Sequence, residues 1–404
     1  MIAARRLIPP LILVLFLAAL GLVLGARGRN LSEALTFLVE VWSIDAVPAA
    51  AEGRPSPVSY AGPGGAGRVA DLYCEPAVAP GGRLVLIHGL VETGKNDARL
   101  RALGRALARR RFLVLVPDFP GMRSLRVGRG DIDEVRAALA AAHAIEECGG
   151  ADPAGSATRP GAAPLPTGII GFSYSAGPAL LALDGPAPAA EFAVLFGGYY
   201  DLRDVLLFLT TGRHRDRGVD HDGETLPEGR WILLGANADR IADPAGREAL
   251  RAIALRRRGD PAAPIDDLAA GLDAASRAAL DLVANDDPAR FDALYARLDG
   301  ALRGEIDALS PARALREPLH ADLLLLHGRG DAVVPWTQGD RIRRFVRTTG
   351  TTRLVLLGGF RHARPERHPE ESGVAAALRH PGDSLGLLGV IGDLLSRRAP
   401  VAPR

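Results

Sequence analysis

One lysine, two cysteines and three tryptophans are all that this 404-residue chain carries of those residue types. Lys95 leaves the rest of the positive charge to arginine, and acids balance it to a net charge of only +2. Nothing in that balance implies nucleic acid or another polyanion as a partner. The short arginine runs, Arg109–Arg111 and Arg256–Arg258, sit in helix-like contexts and read as solvated helix faces. Abundant alanine, glycine and proline beside arginine point to a GC-rich, bacterial genome and say nothing of function. Cys74 and Cys148 lie in no C-x-x-C or Cys/His spacing, so neither a disulfide scaffold nor a zinc site is indicated. They are expected to pack as small apolar residues, with a single bridge between them as the alternative. No metal or organic cofactor is implied, and no internal repeat is present.

Long apolar runs are also scarce, with one exception. After Arg5 and Arg6, "LIPPLILVLFLAALGLVLGA" (Leu7–Ala26) carries no charge. At 1.5 Å per residue such a helix just covers a bilayer core of roughly 30 Å. Pro9 and Pro10 fall near its start, where proline is tolerated. No A-x-A cleavage site follows, which favours a retained anchor over a cleaved signal peptide. The protein is therefore expected at a membrane, the bacterial inner membrane, or in the periplasm if the segment is removed. Arg27 and Arg29 balance Arg5 and Arg6, so the positive-inside rule leaves open which side the rest of the chain faces.

Residues 1–30 are thus read as the anchor or signal segment, and 31–66 as a juxtamembrane helix (31–43) and an Ala/Pro/Gly-rich linker. From residue 67 short apolar runs alternate with helical patterns. Strands are expected at 68–75, 83–89, 112–118, 167–173, 191–200, 322–328 and 353–359. Most are continuous apolar runs, which suits strands buried on both faces of a parallel sheet. Helices are expected at 96–110, 131–147, 336–348 and 384–398. The alternation implies a doubly wound, mostly parallel α/β sheet. One gap of about 120 residues is far too long for a crossover and is helix-rich, so 202–319 reads as an inserted helical cap. It divides the sheet domain into 67–201 and 320–404. Residues 149–166 read as a loop.

Four short motifs then occur in order, each at a strand's end: "LIHGL", "VPDFPG", "GFSYSAG", and "LLLLHGRGDAVVP" followed by "LGGFRH". Singly they are weak in a chain with 47 glycines. As an ordered set they gather where open α/β sheets build their sites. In residues 68–200 and 320–398 the chain resembles an α/β-hydrolase, of the serine esterase kind.

The elbow of that family is G-x-S-x-G, yet here it reads G-F-S-Y-S. With Ser173 as nucleophile, Gly171 and Ser175 are the small residues two before and two after it. With Ser175, the elbow would lie two residues into the helix, so Ser173 is preferred. The resemblance points to His362, directly after the last strand, as the base; His368 and His380 are reserves, and His143, His214 and His221 do not fit. It makes Asp331 the acid, through H-G-x-x-D-x-x-V-P, with Asp201 as the rival, better read as a turn or helix-cap residue. It assigns the oxyanion N–H groups to Leu90 and Tyr174, with His88 and Gly89 shaping the first loop. The order Ser173, Asp331, His362 is that of the fold.

The implied activity is hydrolysis of an ester-type bond in a small-molecule or lipid-like substrate through an acyl-enzyme. Substrate and oligomeric state stay open, as does transfer to an acceptor other than water. Two other classes compete. One is a non-catalytic hydrolase-fold binding or scaffold protein at the membrane. The other is a P-loop NTPase, since "GLVETGKN" nearly matches G-x-x-x-x-G-K-[ST]; there Asn96 replaces the hydroxyl residue, and Asp118 would be the acid on the metal.

Overall fold

Because "RLVLI", "FLVLV", "TGIIGF", "FAVLF" and "LLLLH" are apolar on both strand faces, they can be buried only between two layers of helices. The computed structural model shows that arrangement. It describes residues 32–38, 40, 55–148, 164–185, 189–362, 364–365 and 381–400. In chain order the sheet elements are β1 (Ser56–Ala61), β2 (Gly67–Tyr73), β3 (Gly82–Ile87), α1 (Ala98–Ala108), β4 (Phe112–Pro117), α2 (Gly130–His143), β5 (Thr167–Phe172), α3 (Ala176–Ala182) and β6 (Phe192–Phe196). The insertion follows: α4 (Leu202–Thr211), the hairpin β7 (Arg213–Asp216) and β8 (Val219–Asp222), α5 (Pro227–Asn237), α6 (Pro244–Gly259), α7 (Ala274–Val283), α8 (Phe291–Arg297) and α9 (Gly300–Ala308). Then β9 (Asp322–Gly328), α10 (Thr337–Phe345), β10 (Thr352–Leu357) and α11 (Pro381–Ser396) complete the sheet domain.

The eight strands lie in the order β1-β2-β4-β3-β5-β6-β9-β10. β2 is antiparallel to both its neighbours, and the pairs from β4 to β10 are parallel. Alternate residues feed two cores. Val85, Ile87, Leu113, Leu115 and Ile169 face α2 and α3. Leu84, Leu86, Val114, Val116 and Ile170 face α1 and α11. The insertion has a third core of its own around Trp231, Leu250, Ile253 and Phe291, and so is a packed helical unit rather than a loop.

Three readings change. Ser56–Ala61 belongs to the sheet as its edge strand instead of to the linker. Pro57 is tolerated there because an edge strand can spare an N–H. The helix expected before it is present at 32–38 and docks on the second core through Ala34, Phe37 and Leu38. The polar start of the insertion folds as a hairpin, turned at Arg217 and Gly218 with φ of 50° and 80°, the positive pair that a two-residue hairpin turn requires. Cys74 and Cys148, expected to pack unpaired, form a disulfide across 74 residues of sequence. It ties the chain just after β2 to the chain after α2, two segments that spacing alone does not bring together. The apolar segment Leu7–Ala26 lies outside the described residues, as do 149–163, His368 and His380. Among the described residues no helix is long and apolar enough to cross a membrane.

Candidate active site

The residues singled out as nucleophile, acid and base sit at the carboxyl ends of β5, β9 and β10. β5 is buried along its length and runs directly into a tight turn. Ser173 opens that turn with φ +56°, a left-handed conformation costing a non-glycine residue roughly 1–2 kcal/mol. The turn lifts the side chain off the sheet, and Ser173 is half-buried. The neighbours must be small. A Cβ on Gly171 would stand 3.3 Å from Ala176 Cα, in the helix packing back across the strand.

Ser175 has a definite place in the same turn. It is fully buried. Its Oγ accepts from the Phe172 N–H at 2.9 Å and donates to the Phe172 carbonyl at 3.0 Å. Both capacities of the hydroxyl are spent inside the elbow, closing the strand-to-helix turn where a glycine would leave the Phe172 N–H without that acceptor.

Asp331 is buried in the loop after β9. Its Oδ1 accepts from the N–H groups of Val333 and Val334, each at 2.9 Å. The His362 Nδ1 lies 3.0 Å from Oδ1 and 2.9 Å from Oδ2. A carboxylate can only accept, so Nδ1 carries the proton and Nε2 keeps its lone pair. Burial alone would raise the Asp331 carboxyl. The His362 imidazole and its hydrogen bond, with His327 and the Val334 N–H, outweigh burial and hold it below the ordinary value. His327, which the sequence reading passed over, is buried beside it, with Nε2 donating to the Val334 carbonyl at 2.9 Å and lying 3.6 Å from Asp331 Oδ2. Burial lowers its pKa, and its hydrogen bond to Val334 braces the acid loop. The "H" of "HGRGD" was its only signal.

β5 and β6 pair up to Phe172 and Phe196, and Gly197 follows β6 as Ser173 follows β5. Gly197 has φ +62°, and a Cβ there would lie 3.3 Å from Asp331 Oδ2 and 3.6 Å from His362 Nδ1. Asp331 and His362 therefore meet at this glycine. Among the described residues no hydrogen bond joins Ser173 Oγ to the imidazole.

Gly89 packs on the elbow, where a Cβ would stand 3.5 Å from Ser173 Cβ, and this brings Leu90 beside it. Among the described residues the Leu90 N–H meets no acceptor. His88 holds the loop: its Nε2 accepts from the Phe119 N–H, so its Nδ1 donates to the Gly89 carbonyl at 2.8 Å. Tyr174 follows Ser173 in the first turn of the short helix Ser173–Ser175, where N–H groups have no acceptor within the helix. The tyrosine hydroxyl donates to buried Asp131 at 2.7 Å, and the Gly128 N–H donates to both, each at 3.0 Å. Sequence reasoning missed that trio, since 43 residues separate the tyrosine from its acid.

The rivals are engaged elsewhere. Lys95 donates to Asp71 on β2 at 2.6 Å, and Asp118 accepts through one oxygen from Arg123 at 2.8 Å. Asp201 caps α4 by accepting from the Arg203 N–H. His143 bonds the Ala189 carbonyl, and His214 stacks on His221 in the hairpin. Among the described residues no group of three or more His, Cys, Asp or Glu could hold a metal ion. A cavity of about 260 Å³ opens at the seam between sheet domain and cap, lined by Glu92, Ser124, Leu125, Trp231 and Ile232 among others. Glu92 lies two residues beyond Leu90.

Strand order, the lone antiparallel β2 and a serine elbow after β5 define the α/β-hydrolase fold. No protein-family model matches the chain, and no curated protein matches it either. Solved structures do, at low identity. An esterase from the planctomycete Thermogutta terrifontis is 15% identical over 86% of this chain and 97% of its own, with a TM-score of 0.45. The meta-cleavage product hydrolase of Pseudomonas fluorescens IP01 is 17% identical over 84% and 97%, with a TM-score of 0.42. A puromycin-hydrolysing peptidase of Mycobacterium tuberculosis is 17% identical over 86% of this chain, with a TM-score of 0.42, and the chain spans only 40% of that protein's length.

Proposed function

We propose that the protein is a serine hydrolase that cleaves an ester-type acyl bond. The observation that carries this reading is the His362 imidazole, held in one tautomer by a buried carboxylate, in a chain whose Ser173 takes φ +56° in a strand-to-helix turn. Ser173 Oγ attacks the substrate carbonyl while His362 Nε2 takes its proton. The carbonyl oxygen becomes an oxyanion facing the Leu90 and Tyr174 N–H groups. The tetrahedral intermediate collapses, the leaving alcohol takes the proton from Nε2, and Ser173 is left acylated. Water, deprotonated by the same nitrogen, then releases the acid. Asp331 stays ionised throughout and stabilises the imidazolium.

As substrate we propose a small or lipid-like ester. Two features bear on location. Leu7–Ala26 is long enough to anchor the chain in a bilayer, and disulfides persist on oxidising sides of membranes. The Cys74–Cys148 bridge therefore favours a domain facing the periplasm or exterior.

Labelling with a fluorophosphonate probe tests the chemistry. Wild type and Ser175→Ala should label and Ser173→Ala should not. Labelling that survives Ser173→Ala, or a wild type that neither labels nor hydrolyses aryl esters, would refute the reading.

A further inference from the structure

The segment 126–131 touches two things that have no other reason to be joined. On one side it is fastened to the cap. The Val127 N–H donates to Asn237 Oδ1 at the end of α5, at 3.0 Å. Arg240 reaches back to the Val127 carbonyl. Glu305 on α9 accepts from the Arg129 backbone N–H at 3.0 Å and from its guanidinium at 2.5 Å, and it lies 3.4 Å from Arg240. Arg126 pairs with Asp239 at 3.5 Å.

On the other side, one residue away, the same segment holds Tyr174. The Gly128 N–H, the Tyr174 hydroxyl and the Asp131 carboxylate form a closed triangle of hydrogen bonds at 2.7–3.0 Å. Tyr174 and Asp131 are both buried, and the tyrosine ring stacks on Tyr199, 6.2 Å between centroids. The ring is thus pinned at its face and its tip, and its backbone N–H is the one that follows Ser173. A shift of the Gly128 backbone cannot be absorbed locally without breaking a buried hydrogen bond. Gly128 is itself crowded from the cap side, since a Cβ there would meet the Arg240 guanidinium at 2.5 Å.

We propose that residues 126–131 are a strap coupling the seating of the helical cap to the oxyanion donor at Tyr174, with Asp131 as a positioning residue between them. The catalytic part of this inference rests on the hydrolase reading. The cavity at the cap seam includes Ser124 and Leu125, immediately before the strap, so a substrate that fills it bears on cap and strap together. Binding away from the scissile bond would then be expressed in kcat rather than KM.

A double-mutant cycle on the full chain tests the coupling. Glu305→Gln removes the cap-side charge and Tyr174→Phe removes the hydroxyl. Glu305→Gln should lower kcat for an aryl ester about tenfold with little change in KM, and should have almost no further effect in Tyr174→Phe. Arg297→Gln, which breaks a cap ion pair with Asp281 away from the strap, should leave kcat unchanged. Additive effects, or a loss seen only in KM, would overturn the proposal. Hydrogen–deuterium exchange tests the coupling even without turnover. Glu305→Gln should speed exchange in residues 171–177 as well as in 126–131. Faster exchange confined to the strap and cap would refute the coupling, whereas an inert wild type with coupled exchange would refute only the hydrolase reading.

Discussion

Two buried carboxyls at this site are displaced in opposite directions, and each displacement has a consequence that can be measured. Asp331 is held low by His362 and two backbone N–H groups. Its contribution to stability is present above the unfolded carboxyl value and is lost as pH falls through the still lower folded value. Asp131 is pushed up to about 6, chiefly by burial, against the pull of Tyr174 and the Gly128 N–H. Glu134 raises it slightly and Arg240 from the cap lowers it. Here the folded state holds the proton over a pH range where the unfolded state has released it. Stability therefore falls as pH rises from about 4 to 6, by up to roughly 3 kcal/mol at about 1.4 kcal/mol per unit, and stays reduced above. Asp131→Asn keeps the shape and removes the ionisation. The variant should be no more stable than wild type at pH 4, should gain on it up to about pH 6, and should hold that gain at pH 7 in chemical denaturation. A stability difference that does not change between pH 4 and pH 7 would show that Asp131 does not titrate in that window. Ser175 belongs to the same scale. The residue that departs from the elbow pattern supplies a hydroxyl to the Phe172 backbone that glycine could not.

Among the elements, the 32–38 helix has the least sequence context and a clear packing role. Phe37 is buried against the second core, with the Arg110 guanidinium 4.8 Å from its ring centroid. Glu33 pairs with Arg398 at 2.7 Å and Glu40 with Arg110 at 2.7 Å. Phe37→Ala should cost about 3 kcal/mol if the helix unfolds with the domain, and less if it undocks alone. Hydrogen exchange decides between these, since undocking would release amides 32–38 well before those of β3. The rest of the element map was largely legible, because strands buried on both faces cannot hide in sequence: "RLVLI" and "LLLLH" have few other uses. What was missed has a physical reason in each case. β1 is an edge strand, "SPVSYA", half-exposed and carrying a proline, so it lacks the apolar run that marks its neighbours. The hairpin β7–β8 is built of "RHRD" and "VDHD", held by a positive-φ turn and cross-strand ion pairs such as Arg215–Asp220 rather than by burial. The proposed nucleophile, acid and base were legible because each closes a strand. His327 and the Asp131–Tyr174–Gly128 triangle were not, since such contacts depend on where helices and loops fold back, and no spacing encodes that.

At the scale of the whole molecule, the Cys74–Cys148 bridge closes a loop that contains β3, α1, β4 and α2. That loop carries the Leu90 segment, the strap and Asp131, so the crosslink encloses much of the surroundings of the proposed oxyanion donors. With 74 residues between its ends, the chain-entropy model assigns it about 4 kcal/mol against the open unfolded chain. Reductant should lower the unfolding midpoint of the wild type. Cys148→Ser should show the same lower midpoint and no response to reductant. Native protein made with access to oxidant should carry no thiol that reacts with maleimide before unfolding and reduction. If both cysteines alkylate freely in the folded protein and reductant leaves the melt unchanged, the bridge is not formed, and the argument for an oxidising side goes with it. If the bridge forms, a chain retained in a reducing compartment would fold without it and melt at the Cys148→Ser midpoint. Export of the domain and the stability of the half-sheet that carries the proposed oxyanion loop would then be one requirement.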